Sequence, residues 1–238
     1  MIKHYLGSIW EAAMDRNKQN ILALLQEGKG SLKPSFADFG CDDGQWSLIC
    51  GLKVGAKTIT GLDIIESRLE KAASKAIKTI HADLNRPLPI DANQFDLIHA
   101  NQVIEHVADI DLFASEIFRT LKPGGHAVIS TENASSWCNV MAVAMGWQMF
   151  SLTNLSAIKS GIGNPLALHR GSKLELSSWT HKTIFSYRGL IEFFEAHSFN
   201  VKTVAGSGYF PLPAIIGSVD IRHAHFLTIL IKKPEVND

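Results

Sequence analysis

Short, nearly continuous apolar runs alternating with amphipathic stretches constrain this chain more than any other feature. The runs are Ser35 to Phe39, Thr58 to Asp63, Ile77 to Ala82, Phe95 to Asn101, His126 to Thr131, Asn200 to Ala205 and His225 to Lys232. Runs of this length without polar alternation suit strands covered on both faces. Between them, Trp46 to Leu52, Ser67 to Ala76, Leu112 to Leu121 (behind Asp109 and Asp111) and Tyr187 to His197 (behind Ser186) read as helices with capping residues. Neighbouring parallel strands need such crossovers, so the pattern predicts an α/β fold with a mostly parallel seven-stranded sheet. No long helix separates the last two runs, and Pro211 and Pro213 punctuate their connection. The last strand is therefore expected to be antiparallel, beside the sixth. Ahead of the sheet, Asn20 to Glu27 predicts a helix stopped by Gly28, with residues 1–30 forming an N-terminal helical cap.

The chain has 238 residues, 46% of them hydrophobic, enough for one sizeable core. A single domain over 1–238 is expected, with 132–180 as an inserted substrate-binding or lid segment. Lys plus Arg and Asp plus Glu each number 23, which leaves no net positive field to hold a nucleic acid. Cys41, Cys50 and Cys138 form no C-x-x-C pair or even framework, and Met1-Ile2-Lys3-His4 does not begin a signal peptide, so a reducing, cytoplasmic location is expected. The most apolar window, Val140 to Phe150, is too short to span a bilayer.

The chemistry points to Asp38-Phe39-Gly40-Cys41-Asp42-Asp43-Gly44, between the first strand and the first crossover helix. Glycines there let backbone approach a ligand, and the helix N-terminus that follows favours an anionic group. Ligands of open parallel sheets bind outside the carboxyl ends of the strands. The Gly-x-Gly-x-x-Gly fingerprint is absent, and Asp42 stands where its second glycine would be, which argues against a pyrophosphate-bearing dinucleotide. Asp63 closes the second strand, where it either accepts hydrogen bonds from ribose hydroxyls or caps the next helix. Asp83 follows the third, where it either meets an adenine amino group beside Leu84 or serves the turn before Pro87 and Pro89. Asn101 and Gln102 end the fourth strand and face the same crevice.

Taken in order, DFGCDDG, GLDI, HADL, FDLIHANQVIEHV and LKPGGHAVIST resemble the class I S-adenosylmethionine-dependent methyltransferases, particularly the small-molecule group that includes quinone-biosynthesis enzymes. The likeness covers residues 35 to 131 and continues more weakly through FSYRGLIEFFEAHSFNV. It implies a Rossmann-like doubly wound sheet and S-adenosyl-L-methionine as cofactor. The turn containing Asp38, Gly40, Cys41, Asp42 and Gly44 would surround the methionine part. Asp63 and Ile64 would lie at the ribose, Asp83 and Leu84 at the adenine, and Asn101 and Gln102 on the methionine side. The segment from Leu121 to Gly125 would be a structural turn into the fifth strand. The family usually carries glycine where this chain has Asp42, whose charge would lie near the cofactor's carboxylate or meet its ammonium group.

Methyl transfer from a sulfonium is an in-line displacement that alignment and exclusion of water accelerate, so neither a covalent nucleophile nor a metal is required. Candidate bases are His106, His169 and His181. Glu105 and His106 resemble a pair that helps hold a divalent ion in quinone O-methyltransferases, but Gln102 replaces that group's preceding acid, and no metal is expected. In the 132–180 segment, Trp137, Trp147, Phe150 and Trp179 with Met141, Met145 and Met149 suit an aromatic or amphiphilic acceptor, or else pack on the core or on a second copy in a homodimer. Two competing readings remain: a scaffold that keeps the fold without activity, and a nucleotide-dependent oxidoreductase. All of them turn on whether Asp38, Asp63 and Asp83 meet at one place.

Overall fold

The computed structural model describes residues 2–167, 170–173 and 177–235. Its centre is a seven-stranded sheet of β1 (Ser35–Phe39), β2 (Thr58–Asp63), β3 (Lys78–His81), β4 (Phe95–Asn101), β5 (Leu121–Glu132), β6 (Asn200–Ser207) and β7 (Phe226–Lys232). The strand order is β3-β2-β1-β4-β5-β7-β6. The first five strands are parallel, and β7 runs antiparallel between β5 and β6. The α/β architecture and the antiparallel last strand are as the apolar runs predicted.

Side chains alternate between the two faces, and this places the helices. Phe36, Leu97, Val128 and Leu230 project to one face, where they pack with Ile21, Leu24 and Leu25 of α1 (Ile2–Gly28) and with Cys50 and Val54 of α2 (Gln45–Val54). Their chain neighbours Ala37, Ile98, Ala127, Ile129, Ile229 and Ile231 project to the other, against α4 (Ile110–Thr120) and α6 (Tyr187–Ala196). The short α3 (Glu66–Ala73) follows β2 and packs through Leu69 and Ala72 on Ile77 and Cys41. Asp109 caps α4 by accepting from Leu112 N at 2.9 Å, and Ser186 caps α6 by accepting from Gly189 N.

Two elements differ from the sequence reading. Leu121 already pairs with Phe95, but the register then jumps to Leu97 against His126, so Lys122 to Gly125 loop out of the ladder. Gly124 supplies the positive φ, 77°, that this excursion needs. The larger difference is α1, which runs for 27 residues instead of eight. Its buried positions Ile9, Ala13, Asn17, Ile21 and Leu25 recur every four residues, the spacing of one helix face. Asn17 interrupts that stripe with an amide, and this hides the helix from an apolar-periodicity reading.

The amide is fully engaged. Asn17 Nδ2 donates to Ser130 Oγ of β5 at 2.9 Å and to Asn101 Oδ1 of β4 at 3.3 Å, and its Oδ1 accepts from Thr228 Oγ1 of β7 at 2.8 Å. A buried polar group with partners orients the helix, and the same group unpaired costs its full desolvation. Asn17→Ala removes the amide that ties α1 to β5 and β7 and leaves the buried hydroxyls of Ser130 and Thr228 with only each other, at 3.3 Å. A loss of about 2–3 kcal/mol of unfolding free energy is expected, read from the shift of the urea midpoint.

Candidate active site

Four strand ends meet where β1 and β4 lie side by side and the connections leave in opposite directions, the usual place for a ligand in such sheets. A cavity of about 600 Å³ opens there. Asp38, Asp63 and Asp83 all border it, so the acids of three neighbouring strand ends do meet at one place. Gly40, Cys41, Asp42, Ile64, Leu84, Asn101 and Gln102 border it as well. Gly44 does not; its φ of 78° turns the chain into α2, and a Cβ there would run into Ala72 and Ile77.

The three acids are used differently. Asp38 is buried; His99 Nδ1 donates to its Oδ1 at 2.7 Å and Ser47 Oγ to its Oδ2, so both oxygens are spent inside the protein. Asp63 accepts from Asp42 N through Oδ2 and from Ile65 N through Oδ1, both at 2.9 Å. It thereby fixes the turn after β1 and leads into α3 while still bordering the cavity. Asp83 accepts from Asn85 N and Nδ2 at 2.9 and 2.8 Å, and the backbone hydrogen bond from Asn85 is the main reason its carboxyl stays below the usual range. Asn85 Oδ1 in turn accepts from Ala108 N, which pins the rim of the cavity to the end of the loop after β4.

Asp42 adopts φ 50°, a left-handed conformation that Asp tolerates better than most residues, so the turn keeps its shape without the glycine. Its charge is answered within the chain. Arg68 Nη1 of α3 lies 2.8 Å from Asp42 Oδ1, and the same guanidinium lies 5.0 Å from the ring centre of Trp179. Arg68 and Trp179 both line the cavity, as does Lys18 of α1, whose ammonium is 5.7 Å from the Trp46 ring. The sequence reading had Trp179 in a substrate-binding or lid segment and did not single out Lys18, Arg68 or His99. Lys18 and Arg68 belong to no local motif, and His99, although inside FDLIHANQVIEHV, gives no local sign that it pairs with Asp38; each reaches the site through tertiary packing.

Beside the cavity lies a buried polar group of different character. Ile104–His106 form one 3-10 turn after β4. Glu105 is fully buried; Thr131 Oγ1 donates to its Oε2 at 3.0 Å, and its Oε1 has no partner. Burial, reinforced by the nearby charge of Glu132, pushes the Glu105 carboxyl up to about 8. His106 lines the cavity and packs edge-on against His181, ring centres 4.7 Å apart. Burial above all, then His181, holds His106 down at about 4, so it is neutral at physiological pH. Its Nδ1 donates to Thr180 O at 3.3 Å, and His181 Nδ1 donates to Ser151 O at 2.6 Å. Ligand-capable atoms of Glu105, His106 and His181 all lie within 4.8 Å of one another. His169, the third candidate base, lies outside the described residues. Of the aromatic and methionine set in the 132–180 segment, Trp179 borders the cavity, whereas Met141 and Met145 are exposed on or beside α5 (Trp137–Ala144).

The chain matches the family model described as "Methyltransferase domain" over residues 9–204. It belongs to that family. Human "Ubiquinone biosynthesis O-methyltransferase, mitochondrial" is 27% identical over 195 residues, 78% of this chain and 47% of that protein. "Demethylmenaquinone methyltransferase" of Staphylococcus epidermidis is 31% identical over 117 residues, 47% of each chain. The chain thus spans about half the length of the curated relatives it matches. Among solved structures, an S-adenosylmethionine dependent methyltransferase from Mesorhizobium loti superposes with a TM-score of 0.59 at 19% identity, covering 90% of this chain and 96% of that one. At that identity the likeness is one of fold, the Rossmann-like sheet that the motifs implied.

The buried acid makes a prediction about pH. Glu105 binds its proton more tightly folded than unfolded, so stability falls as pH rises from the unfolded carboxyl value towards about 8. His106, held low, works in the opposite sense below about 6.5, which leaves the decline from Glu105 clearest between pH 6.5 and 8. Wild type should lose about 2 kcal/mol more across that interval than Glu105→Gln, which keeps an acceptor for Thr131 and cannot ionise. Urea titrations of both proteins at a series of pH values check this.

Proposed function

We propose that the chain is an S-adenosylmethionine-dependent methyltransferase acting on a small molecule. The observation that carries this is the single cavity bordered by Asp63, Asp83, Asn101 and Gln102 at the ends of consecutive strands, with a cation from α1 at its side. The donor set fits such a cofactor. His99 and Gln102 border the cavity, each with a buried nitrogen that has no hydrogen bond among the described residues, the ring Nε2 of His99 and the donating amide Nε2 of Gln102, and about 600 Å³ is within the usual range for a ligand pocket. The pairing of Asp42 with Arg68 also removes the charge that favoured an inactive scaffold.

When bound, the cofactor supplies a methyl group on an electrophilic sulfonium, and the chain's residues position and shield it. Asp63 keeps lone pairs for ribose hydroxyls beyond those used by the backbone, and Asp83 and Leu84 form the adenine side. Lys18 offers a counter-charge for the methionine carboxylate. Trp179 and Arg68 close over the opening and keep water out. His106, neutral and with Nδ1 committed to Thr180, presents Nε2 as a hydrogen-bond acceptor for a hydroxyl of the methyl acceptor. An aromatic or amphiphilic acceptor suits the ring faces of Trp179 and His106, and the names of the quinone-pathway relatives point the same way. No metal is needed for displacement at a sulfonium. A reducing, cytoplasmic setting suits three unpaired cysteines, and no helix among the described residues is long and apolar enough to cross a membrane.

Calorimetric titration should show one-to-one binding of S-adenosylhomocysteine and none of NAD; the reverse result would overturn the assignment. Lys18→Ala should weaken S-adenosylhomocysteine about tenfold or more, the size of a lost charge-assisted hydrogen bond, without moving the melting temperature. With an acceptor in hand from a screen of phenolic and quinol compounds, turnover should survive EDTA. Loss on chelation with recovery on adding magnesium would instead place an ion at Glu105, His106 and His181.

A further inference from the structure

A second chemically loaded cluster lies outside the cavity lining, at the start of α5. Ser136 caps that helix and Cys138 lies in its first turn. Cys138 Sγ is 3.3 Å from His225 Nδ1 and 3.3 Å from Ser136 Oγ. His225 is held in place by the backbone, since its N donates to Gly208 O and its O accepts from Asn133 N, each at 2.9 Å. Its ring packs edge-on against Trp10 and Phe226. Two polar atoms nearby, His225 Nε2 and Glu132 Oε2, are buried without a hydrogen bond among the described residues, Glu132 Oε2 lying 3.9 Å from His181 Nδ1. A thiol beside an imidazole, a hydroxyl and the free N–H groups of a helix start has the surroundings that stabilise a thiolate.

We propose that Cys138 and His225 form a thiolate–imidazolium pair that makes Cys138 a modification site for small electrophiles, hydroperoxides first among them. The groups facing the pair are Ser136 from the helix cap and Glu132 from the end of β5. Burial raises the Cys138 thiol and the Glu132 charge adds to that, but the hydrogen bond and charge of His225 outweigh both and leave it below the ordinary thiol value. Burial also opposes the charge on His225, yet Cys138 and Glu132 together raise it. The other two cysteines are internal controls. Cys41 faces Asp38, Asp63 and Asp42, Cys50 is fully enclosed and faces Asp38, and burial leads in pushing both thiols far up. Cys138 keeps 8% of its surface open, against 0% for Cys50.

With a hydroperoxide the thiolate sulfur attacks one oxygen, the S–O bond forms as the O–O bond breaks, and sulfur gives up two electrons. The departing oxygen takes the proton of His225, leaving a sulfenic acid, a neutral imidazole and water or an alcohol. The added oxygen presses on a ring that rests against Trp10 of α1, the helix that carries Lys18 to the cavity.

The test uses the full chain and iodoacetamide, with the labelled cysteine located by peptide mass spectrometry at pH 6, 7 and 8. An ordinary thiol reacts about 100-fold faster at pH 8 than at pH 6, whereas the rise for Cys138 should be clearly shallower and Cys138 should outpace Cys41 and Cys50 throughout. Thiolate absorbance near 240 nm should develop at lower pH than for an ordinary thiol and vanish in Cys138→Ser. His225→Gln should slow labelling at pH 6 by about tenfold or more and restore the steep pH dependence. Peroxide treatment should add one oxygen at Cys138 that dimedone captures. The proposal is overturned if Cys138 stays unlabelled in the native chain, if its rate climbs as an ordinary thiol's does, or if the absorbance is missing. The wild-type profile and absorbance decide the matter even if His225→Gln fails to fold.

Discussion

Everything at the strand ends is organised around the buried carboxylate of Asp38. Asp38 of β1 and His99 of β4 are register partners across the point where the sheet reverses its winding, and Ser47 reaches the same carboxylate from α2. A carboxylate in such a place is tolerated only with its oxygens engaged; removing one partner of a buried pair typically costs about 3–5 kcal/mol. The three side chains therefore fix the spacing of β1 and β4 and the angle of α2, and with them the mouth of the cavity. Asp63 performs the complementary task one strand away, holding the turn at Asp42 and the entry to α3.

On this frame the site has a polar half and a shielded half. The polar half comes from strand ends and is rigid, because Asp63, Asp83 and Asn101 each have a fixed partner within the protein. The shielded half comes from Arg68 and Trp179, long side chains from α3 and the segment after β5, held by a cation over a ring and an exposed ion pair to Asp42. Interactions of the second kind are individually weak, so they open at little cost. Rigid recognition beneath a loosely fastened cover suits a ligand that must be replaced after every turnover.

The extent to which this was legible in the sequence follows the same division. Strands buried on both faces announce themselves as apolar runs, and the turn from Asp38 to Gly44 lies in one stretch of chain, so both were readable. Asp63 and Asp83 were each read with a ligand-binding role or a local one; both border the cavity, Asp83 also serves its turn through Asn85, and Asp63 holds Ile65 N ahead of α3 without capping that helix. Asp38 was read as a cofactor contact because nothing local reveals that His99, mid-strand and 61 residues away, will take one of its oxygens. The first half of α1 was missed because its buried stripe contains Asn17. Lys18 and Arg68 lie on helices with no motif around them, and only tertiary packing brings them to one opening.

The partners of Asn17 carry a consequence for how the chain is made. Ser130 and Thr228 lie 113 and 211 positions further along. A ribosome releases α1 before the strands that seat it, and the helix has no complete seat until β7 has emerged. Until then its apolar stripe must be held by something else or remain exposed, and the strand ends lack the cation that α1 contributes. Contacts of such sequence separation are of the long-range kind that slows folding. A nascent chain cut short before β7 would carry all five of the motifs that announce its chemistry and still lack the seat for the helix that completes the site.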